Sequence, residues 1–225
     1  MNQSTSKNLM LISKRIDDAC RAAKRLPTSV KLVAVSKTML PETIRPVLEA
    51  GHRIFGENRV QEAIRKWPLL KQGFPGVELH LIGPLQSNKA AEAVALFDVI
   101  ETVDRPKIAT ALLAEMIKQD RWPKIYVQVN TGDESQKAGV RLAEALTFIT
   151  ACQKMFPVAG LMCIPPVDDS AAKHFAILAD LASKLGISSL SMGMSADFEI
   201  AIAAGATHVR VGSAIFGDRD VAVPK

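Results

Sequence analysis

The chain has 225 residues, 48% of them apolar and 23% charged, and its 28 basic and 23 acidic side chains leave a net charge of +5. This is the composition of a soluble globular protein, and a chain of this length buries roughly 70 to 75% of its unfolded surface without help from disulfides or a structural metal. No run of eighteen uncharged apolar residues occurs and no apolar stretch of signal-peptide length stands at the N-terminus, so no membrane span and no export are expected, and the cytoplasm is the expected location.

Residues 1 to 31 hold seven basic groups against two acidic ones, which is the whole of the positive excess. Leu11, Ile12, Ile16, Ala19, Cys20 and Ala23 recur there at helical spacing, so residues 1 to 30 are expected to contain an amphipathic helix with solvated charges. Aromatic residues are only 5% of the chain and none interleaves with the basic stretch, so stacking on bases has little to work with and no nucleic-acid partner is expected.

From there, short β-branched runs alternate with longer helical patterns. Strands are predicted at 31–36, 53–56, 78–83, 98–102, 124–130, 158–164, 188–193 and 207–212. Helices are predicted at 41–50, 59–70, 88–96, 104–119, 142–155, 170–185 and 196–204. Asp104, before Arg105-Pro106, reads as an N-cap, while Gly51, Gly186 and Gly205 stand where a left-handed helix end would be wanted. Eight strand–helix units in this length predict one domain over residues 1–225, a (β/α)8 TIM-type barrel with an extra N-terminal helix. An open doubly wound sheet would normally show a glycine-rich fingerprint after its first strand, and Val35-Ser36-Lys37-Thr38 contains no glycine.

Cys20, Cys152 and Cys163 form no C-x-x-C pair, and Cys152 and Cys163 lie in apolar stretches, so all three are expected to be reduced thiols and those two buried and inert. The four histidines are scattered. No H-E-x-x-H or acidic–histidine cluster offers a metal site, and no carboxylate pair suits glycoside hydrolysis.

In a barrel the chemistry sits at the carboxyl ends of the strands. There the sequence is rich in hydroxyls, amides, glycines and cations and poor in carboxylates. Ser191 to Ser195 and Gly212-Ser213 suit a phosphate, helped by the positive end of the helix beginning near Ala196, although either segment alone also reads as a tight turn. Closure of the barrel brings the last strand beside the first, so Lys37, which alone reads as a solvated charge, faces that cup. An amine for an aldehyde, donors for a phosphate and the strand arginine Arg210 together match the needs of pyridoxal 5′-phosphate.

Val33-Ala-Val-Ser-Lys37, Phe55-Gly-Glu-Asn-Arg-Val-Gln-Glu62, His80-Leu-Ile-Gly-Pro-Leu-Gln-Ser-Asn-Lys89, Gly160-Leu-Met, Leu190-Ser-Met-Gly-Met-Ser195 and Val209-Arg-Val-Gly-Ser-Ala-Ile-Phe-Gly217 follow one another in an order that covers nearly the whole chain. By these motifs the sequence resembles the pyridoxal phosphate homeostasis proteins, relatives of the barrel domain of alanine racemase. The resemblance implies that Lys37 forms the Schiff base, that Ser195, Gly212 and Ser213 hold the phosphate, that Arg210 faces the pyridine nitrogen, and that Asn58 and Met192 line the cofactor. It implies a protein that holds and delivers the cofactor within the cell, with pyridoxal phosphate-dependent apo-enzymes as partners; a monomer is expected. Leu79 replaces the usual aromatic before the strand histidine, and Thr38 stands where some members carry a further lysine. Lys89 and Lys137 remain open either as secondary acceptors or as solvated lysines.

Racemisation needs a second acid–base group on the opposite face of the cofactor, which alanine racemase supplies from an additional domain. The only tyrosine, Tyr126, falls in the middle of a strand, where packing is the simpler role. The expected activity is therefore carriage, not catalysis. A slow amino-acid racemase, a cofactor-free Schiff-base barrel acting on a sugar phosphate, and a scaffold retaining the cofactor as a relic are the alternatives.

Overall fold

Eight parallel strands, each too apolar on its outward face to stand in water, close on themselves in the computed structural model, which describes residues 2–217. In chain order the barrel strands are β1 (Lys31–Val35), β2 (Ile54–Glu57), β3 (Glu78–Leu81), β4 (Val99–Val103), β5 (Lys124–Asn130), β7 (Val158–Cys163), β8 (Ser189–Ser191) and β9 (His208–Val211). Parallel pairing of β1 with β9, Val33 opposite Arg210 and Ala34 opposite Val211, closes the ring. An unpredicted two-residue strand, β6 (Val140–Arg141), pairs with the end of β5 outside it.

The connecting helices are α2 (Pro41–Glu49), α3 (Val60–Gly73), α4 (Ala90–Leu96), α5 (Pro106–Gln119), α6 (Leu142–Met155), α7 (Ala171–Lys184) and α8 (Phe198–Ala203), followed by the one-turn α9 (Ser213–Phe216). Period-two alternation splits each strand. Leu79, Leu81, Ile125, Val127, Leu190, Val209 and Val211 pack outward into the apolar layer beneath the helices. The residues between them face the lumen.

Helix α1 (Asn2–Ala22) covers α2, α8 and α9. Its buried stripe is Leu9, Ile12, Ile16 and Cys20, at i, i+3, i+7 and i+11. Each such aliphatic side chain contributes about 2 kcal/mol on burial. Leu11, expected on that face, is 53% exposed, because one residue of helix turns it about 100° from Ile12. Arg15 pairs with Glu199 across to α8, and the Asn8 side chain donates to the Ile215 carbonyl at 3.1 Å.

Gly51, Gly186 and Gly205 adopt the left-handed conformation expected of them, with φ of +91°, +66° and +99°. The predicted cap at Asp104 is not formed. Pro106 takes the first helical position and forces Arg105 into extended backbone (φ −158°), so Arg105 is the cap residue. The Asp104 carboxylate instead accepts from Arg105 and from the Gly139 N–H.

Candidate functional site

A cavity of about 400 Å³ opens at the carboxyl ends of the strands. Lys37, Asn58, Ser195, Arg210, Gly212 and Ser213 line it, with Val35, Ile82, Ile164 and Met194 as apolar walls. The register explains the meeting of chain ends. Ala34 lies opposite Val211, so the next residues along, Val35 and Gly212, are in contact, and a Cβ on Gly212 would sit 3.2 Å from the Val35 carbonyl oxygen. Lys37 follows two residues later on the same rim.

Met192, the seventh residue expected there, lies outside this lining. Ser191 points into the lumen, so the next side chain points the other way, and Met192 is fully buried in the helix-side layer. Met194, two residues on, takes its place in the wall. The turn between them depends on Gly193, whose φ is +93° and where a Cβ would stand 2.5 Å from Ala201 Cβ. The Gly193 carbonyl accepts the Arg210 N–H at 2.9 Å, which ties the β8 turn to β9. On the other side Asn58 is pressed against Gly83, where any Cβ would fall 2.2 Å from the Asn58 carbonyl oxygen.

The cavity is cationic. Its lining holds Lys37 and Arg210 and no carboxylate, histidine, tyrosine or cysteine. Ser195 and Ser213 line it, and the first N–H groups of α9, which begins at Ser213, have no acceptor within their own helix. The arrangement can hold a dianion on one side and present an amine on the other. Among the described residues the Lys37 ammonium has no hydrogen-bond or ion-pair partner.

Arg210 is held from below. It is 4% exposed and donates to Ser191 Oγ and to the Cys163 carbonyl, both at 2.8 Å. Ser191 in turn donates to Glu101 Oε2 at 2.6 Å, and Glu101 Oε1 lies 2.6 Å from His80 Nδ1. His80 Nε2 reaches Glu78 at 3.1 Å, and Glu78 pairs with Lys124 at 2.8 Å on the far side of the barrel. Three of these bonds, Arg210 to Cys163 (β9 to β7), Ser191 to Glu101 (β8 to β4) and Glu78 to Lys124 (β3 to β5), join strands that are not neighbours, so the network crosses the lumen. Burial opposes the charges on Glu78, His80 and Glu101. The bonds and charges of Glu101 and Glu78 nevertheless leave the His80 pKa raised. For Glu101, burial is outweighed by the bond and charge of His80 and by Arg210, and its pKa is lowered. His208, 5.8 Å from the Tyr126 ring, is depressed to about 4 by burial and is neutral. Tyr126 stays in the lumen, away from the cavity, and burial pushes its hydroxyl pKa up.

Sequence reasoning missed this network, although one signal was available. Glu101 is a carboxylate in the centre of the strand Val-Ile-Glu-Thr-Val, which carries no other charge. Cys152 and Cys163 are buried as expected, and burial raises them to about 11 and about 12; Cys20 is buried as well. Lys89 pairs with Glu92 in a neighbouring cavity that it shares with Arg59 and Arg105. Lys137 pairs with Glu134 beside a smaller cavity of about 190 Å³ that also touches Asn58. Among the described residues no group of three or more His, Cys, Asp or Glu is placed to hold a metal ion, and no helix is long and apolar enough to cross a membrane.

Residues 13–220 match the family described as alanine racemase, N-terminal domain. The chain is 38% identical over 224 residues to the pyridoxal phosphate homeostasis protein of Escherichia coli K12, covering 95% of this chain and 96% of that one. It is 40% identical over 229 residues to the protein of the same name from Pseudomonas aeruginosa, covering 97% of each. Among solved structures, PipY of Synechococcus elongatus with pyridoxal phosphate bound superposes with a TM-score of 0.77 at 38% identity, over 90% of this chain and all of its own. An alanine racemase of Clostridium difficile reaches a TM-score of 0.74 at 14% identity, over 97% of this chain and 57% of its own, a likeness of fold alone.

Proposed function

This chain belongs to the pyridoxal phosphate homeostasis protein family, and on that premise we propose that it holds pyridoxal 5′-phosphate through Lys37 and takes part in keeping and delivering this reactive aldehyde inside the cell. The observation that carries the reading is the meeting, in one cavity free of carboxylates, of the Lys37 amine with Arg210 and the hydroxyls of Ser195 and Ser213. The volume lies within the range of small-ligand sites, and the donor set complements a phosphorylated aldehyde. When bound, the group supplies an aldehyde that condenses with an amine, with loss of water, and a ring that can draw off electrons.

The chain's own residues have separate tasks in this reading. Ser195, Gly212 and Ser213 take the phosphate, aided by the N–H groups at the start of α9. Lys37 presents its amine from the neighbouring strand end on the same rim. Asn58 and the side chains of Ile82, Ile164 and Met194 confine the ring. Arg210, its guanidinium held by Ser191 and the Cys163 carbonyl, would face the ring nitrogen. A guanidinium donates hydrogen bonds and accepts none, so it leaves that nitrogen unprotonated and the ring a weak electron sink.

This chemistry favours a carrier over an enzyme. Catalysis at the α-carbon of an amino acid needs a second acid–base group, and the cavity lining offers no candidate besides Lys37. We place the protein as a single-domain monomer in the cytoplasm, with apo-enzymes that need the cofactor as its recipients. A slow racemase is the second reading, favoured by the barrel shared with alanine racemase.

Borohydride reduction of the protein loaded with pyridoxal phosphate is the test. One pyridoxyl group is expected on the peptide containing Lys37 and none on the Lys37→Ala variant; a stable adduct on another lysine overturns the assignment. Proton exchange at the α-carbon of free amino acids, measured on the same preparation at several turnovers per second, would establish the second reading instead.

A further inference from the structure

We propose that Lys66 is a positioning residue for Lys37, an inference that rests on the cofactor reading above. Lys66, on α3, is 7% exposed, and its ammonium sits under the loop that carries Lys37. It donates to the Ser36 carbonyl at 2.8 Å and to the Met39 carbonyl at 3.2 Å, one on each side of Lys37. Glu62, one helical turn back, pairs with the same ammonium at 2.8 Å, and its Oε1 also accepts the Thr38 N–H at 2.6 Å. Three backbone groups flanking Lys37 are thereby fixed to one point of α3.

The backbone held this way is not a relaxed one. Thr38 has a φ of +64°, a left-handed conformation uncommon for a β-branched residue, and such a residue persists only where its surroundings over-determine it. Lys66 and Glu62 supply that constraint, since each accepts or donates directly to the turn. The base of the clamp is anchored as well. Glu57 is fully buried at 2.9 Å from Lys66, and its Oε1 also accepts from Ser36 Oγ at 2.5 Å and Trp67 Nε1 at 2.9 Å. Apart from Ser36 Oγ the clamp acts on backbone groups, and it leaves the Lys37 side chain alone.

Packing of α2 on α3 does not require this arrangement. Ile44, Val47, Leu48, Trp67 and Ala63 already bury themselves in the apolar layer. The polar knot acts on the turn, and the turn sets where the Cα of Lys37 stands. A lysine reaches its target through a flexible four-carbon stem, so a displaced Cα lowers the fraction of time the amine meets a ligand seated in the phosphate cup. The clamp therefore raises the covalent part of binding and leaves the phosphate part alone.

Two ligands separate those parts: pyridoxal 5′-phosphate, and pyridoxine 5′-phosphate, which has the same ring and phosphate with an alcohol in place of the aldehyde. In Lys66→Met the apparent dissociation constant for the aldehyde is expected to rise about tenfold, the result of a binding-competent turn populated about one-tenth of the time. The constant for the alcohol is expected to change less than about twofold. Glu62→Gln, at a partly exposed position, is expected to act in the same direction and serves if Lys66→Met does not fold. In a Lys37→Ala background, Lys66→Met is expected to have no further effect on either ligand. Equal weakening of both ligands, an unchanged aldehyde constant, or an undiminished effect in the Lys37→Ala background overturns the inference. A wild-type protein that binds the alcohol but shows no gain from the aldehyde removes the role of Lys37 itself, and one that binds neither ligand sinks the cofactor reading and this inference with it.

Discussion

Replacing Glu101 by Gln keeps the shape of the lumen and removes its central negative charge. In the wild type that carboxylate is fully buried, 2.6 Å from His80 Nδ1 and 4.0 Å from Arg210. At an effective dielectric constant of 20, a unit pair 4 Å apart is worth about 4 kcal/mol, and the desolvation of a buried carboxylate offsets several kcal/mol of its two interactions. Taking away one member of a buried charged set costs about 3 to 5 kcal/mol, and His80 recovers part of this by releasing its proton. A net loss of roughly 3 kcal/mol corresponds to a fall in Tm of about 6 to 12 °C for a chain of this size.

The difference between wild type and Glu101→Gln also has a predicted pH dependence. Glu101 has a lowered folded pKa, so its contribution is complete above the unfolded carboxylate value, about 4.3, and is lost as pH falls through the folded value. His80 has a raised folded pKa, so its contribution is complete below about 6.5 and is lost as pH rises through the folded value. The stability gap should therefore be widest between about pH 5 and 6.5 and narrow on both sides. Urea denaturation of both proteins from pH 4 to 9 measures it. A gap below about 1 kcal/mol, or one that does not vary with pH, would show that Glu101 is not a charged partner of His80 and Arg210.

Gly193→Ala is expected to cost roughly 2 to 4 kcal/mol in urea unfolding, since it combines a left-handed alanine with a contact 2.5 Å from Ala201 Cβ; a cost under about 1 kcal/mol would mean that the β8 turn relaxes freely. Cys152 and Cys163, whose thiols burial raises to about 11 and 12, are expected to resist alkylation by iodoacetamide at pH 8 in the folded protein and to react fully in denaturant. Rapid labelling of either in the native state would refute their burial.

The eight-fold alternation was legible in the sequence because the outward face of each strand supplies buried apolar residues at alternate positions, and because helices with one apolar stripe lie between them. The meeting of Lys37 with Gly212 and Ser213 was legible too, since it needs only closure of the ring. Finer features were not. β6 is two residues long and α9 four, below the length at which any periodicity can be read. Leu11 and Asp104 were misplaced by a single residue, and on a helix or at a cap one residue changes the face or the role. Met192 was assigned to the cofactor without weighing the two-residue period of β8, which puts Ser191 inside and Met192 outside. The lumen network and the Lys66 clamp were hidden for another reason. Both join residues distant in sequence, such as Glu101 with Ser191 and Lys66 with Ser36, through contacts that no local pattern encodes.

Those two hidden features share a physical logic. A barrel lumen is usually filled by layers of branched aliphatic side chains, and apolar residues of similar volume often replace a buried ionic set at no loss, or with a gain, in stability. Here Glu101, His80, Ser191 and Arg210 occupy that space instead, and the chain of bonds ends in a guanidinium at the floor of the cavity. Lys66, Glu62 and Glu57 do the same beneath the lip, ending in the backbone on either side of Lys37. In both places the buried charge is spent on holding a cation where a ligand would meet it, a local departure from apolar packing of the kind that folded chains reserve for sites. If stability alone governed these positions, an all-aliphatic lumen would serve better; a stable variant with that lumen but a displaced Arg210 would separate the two demands.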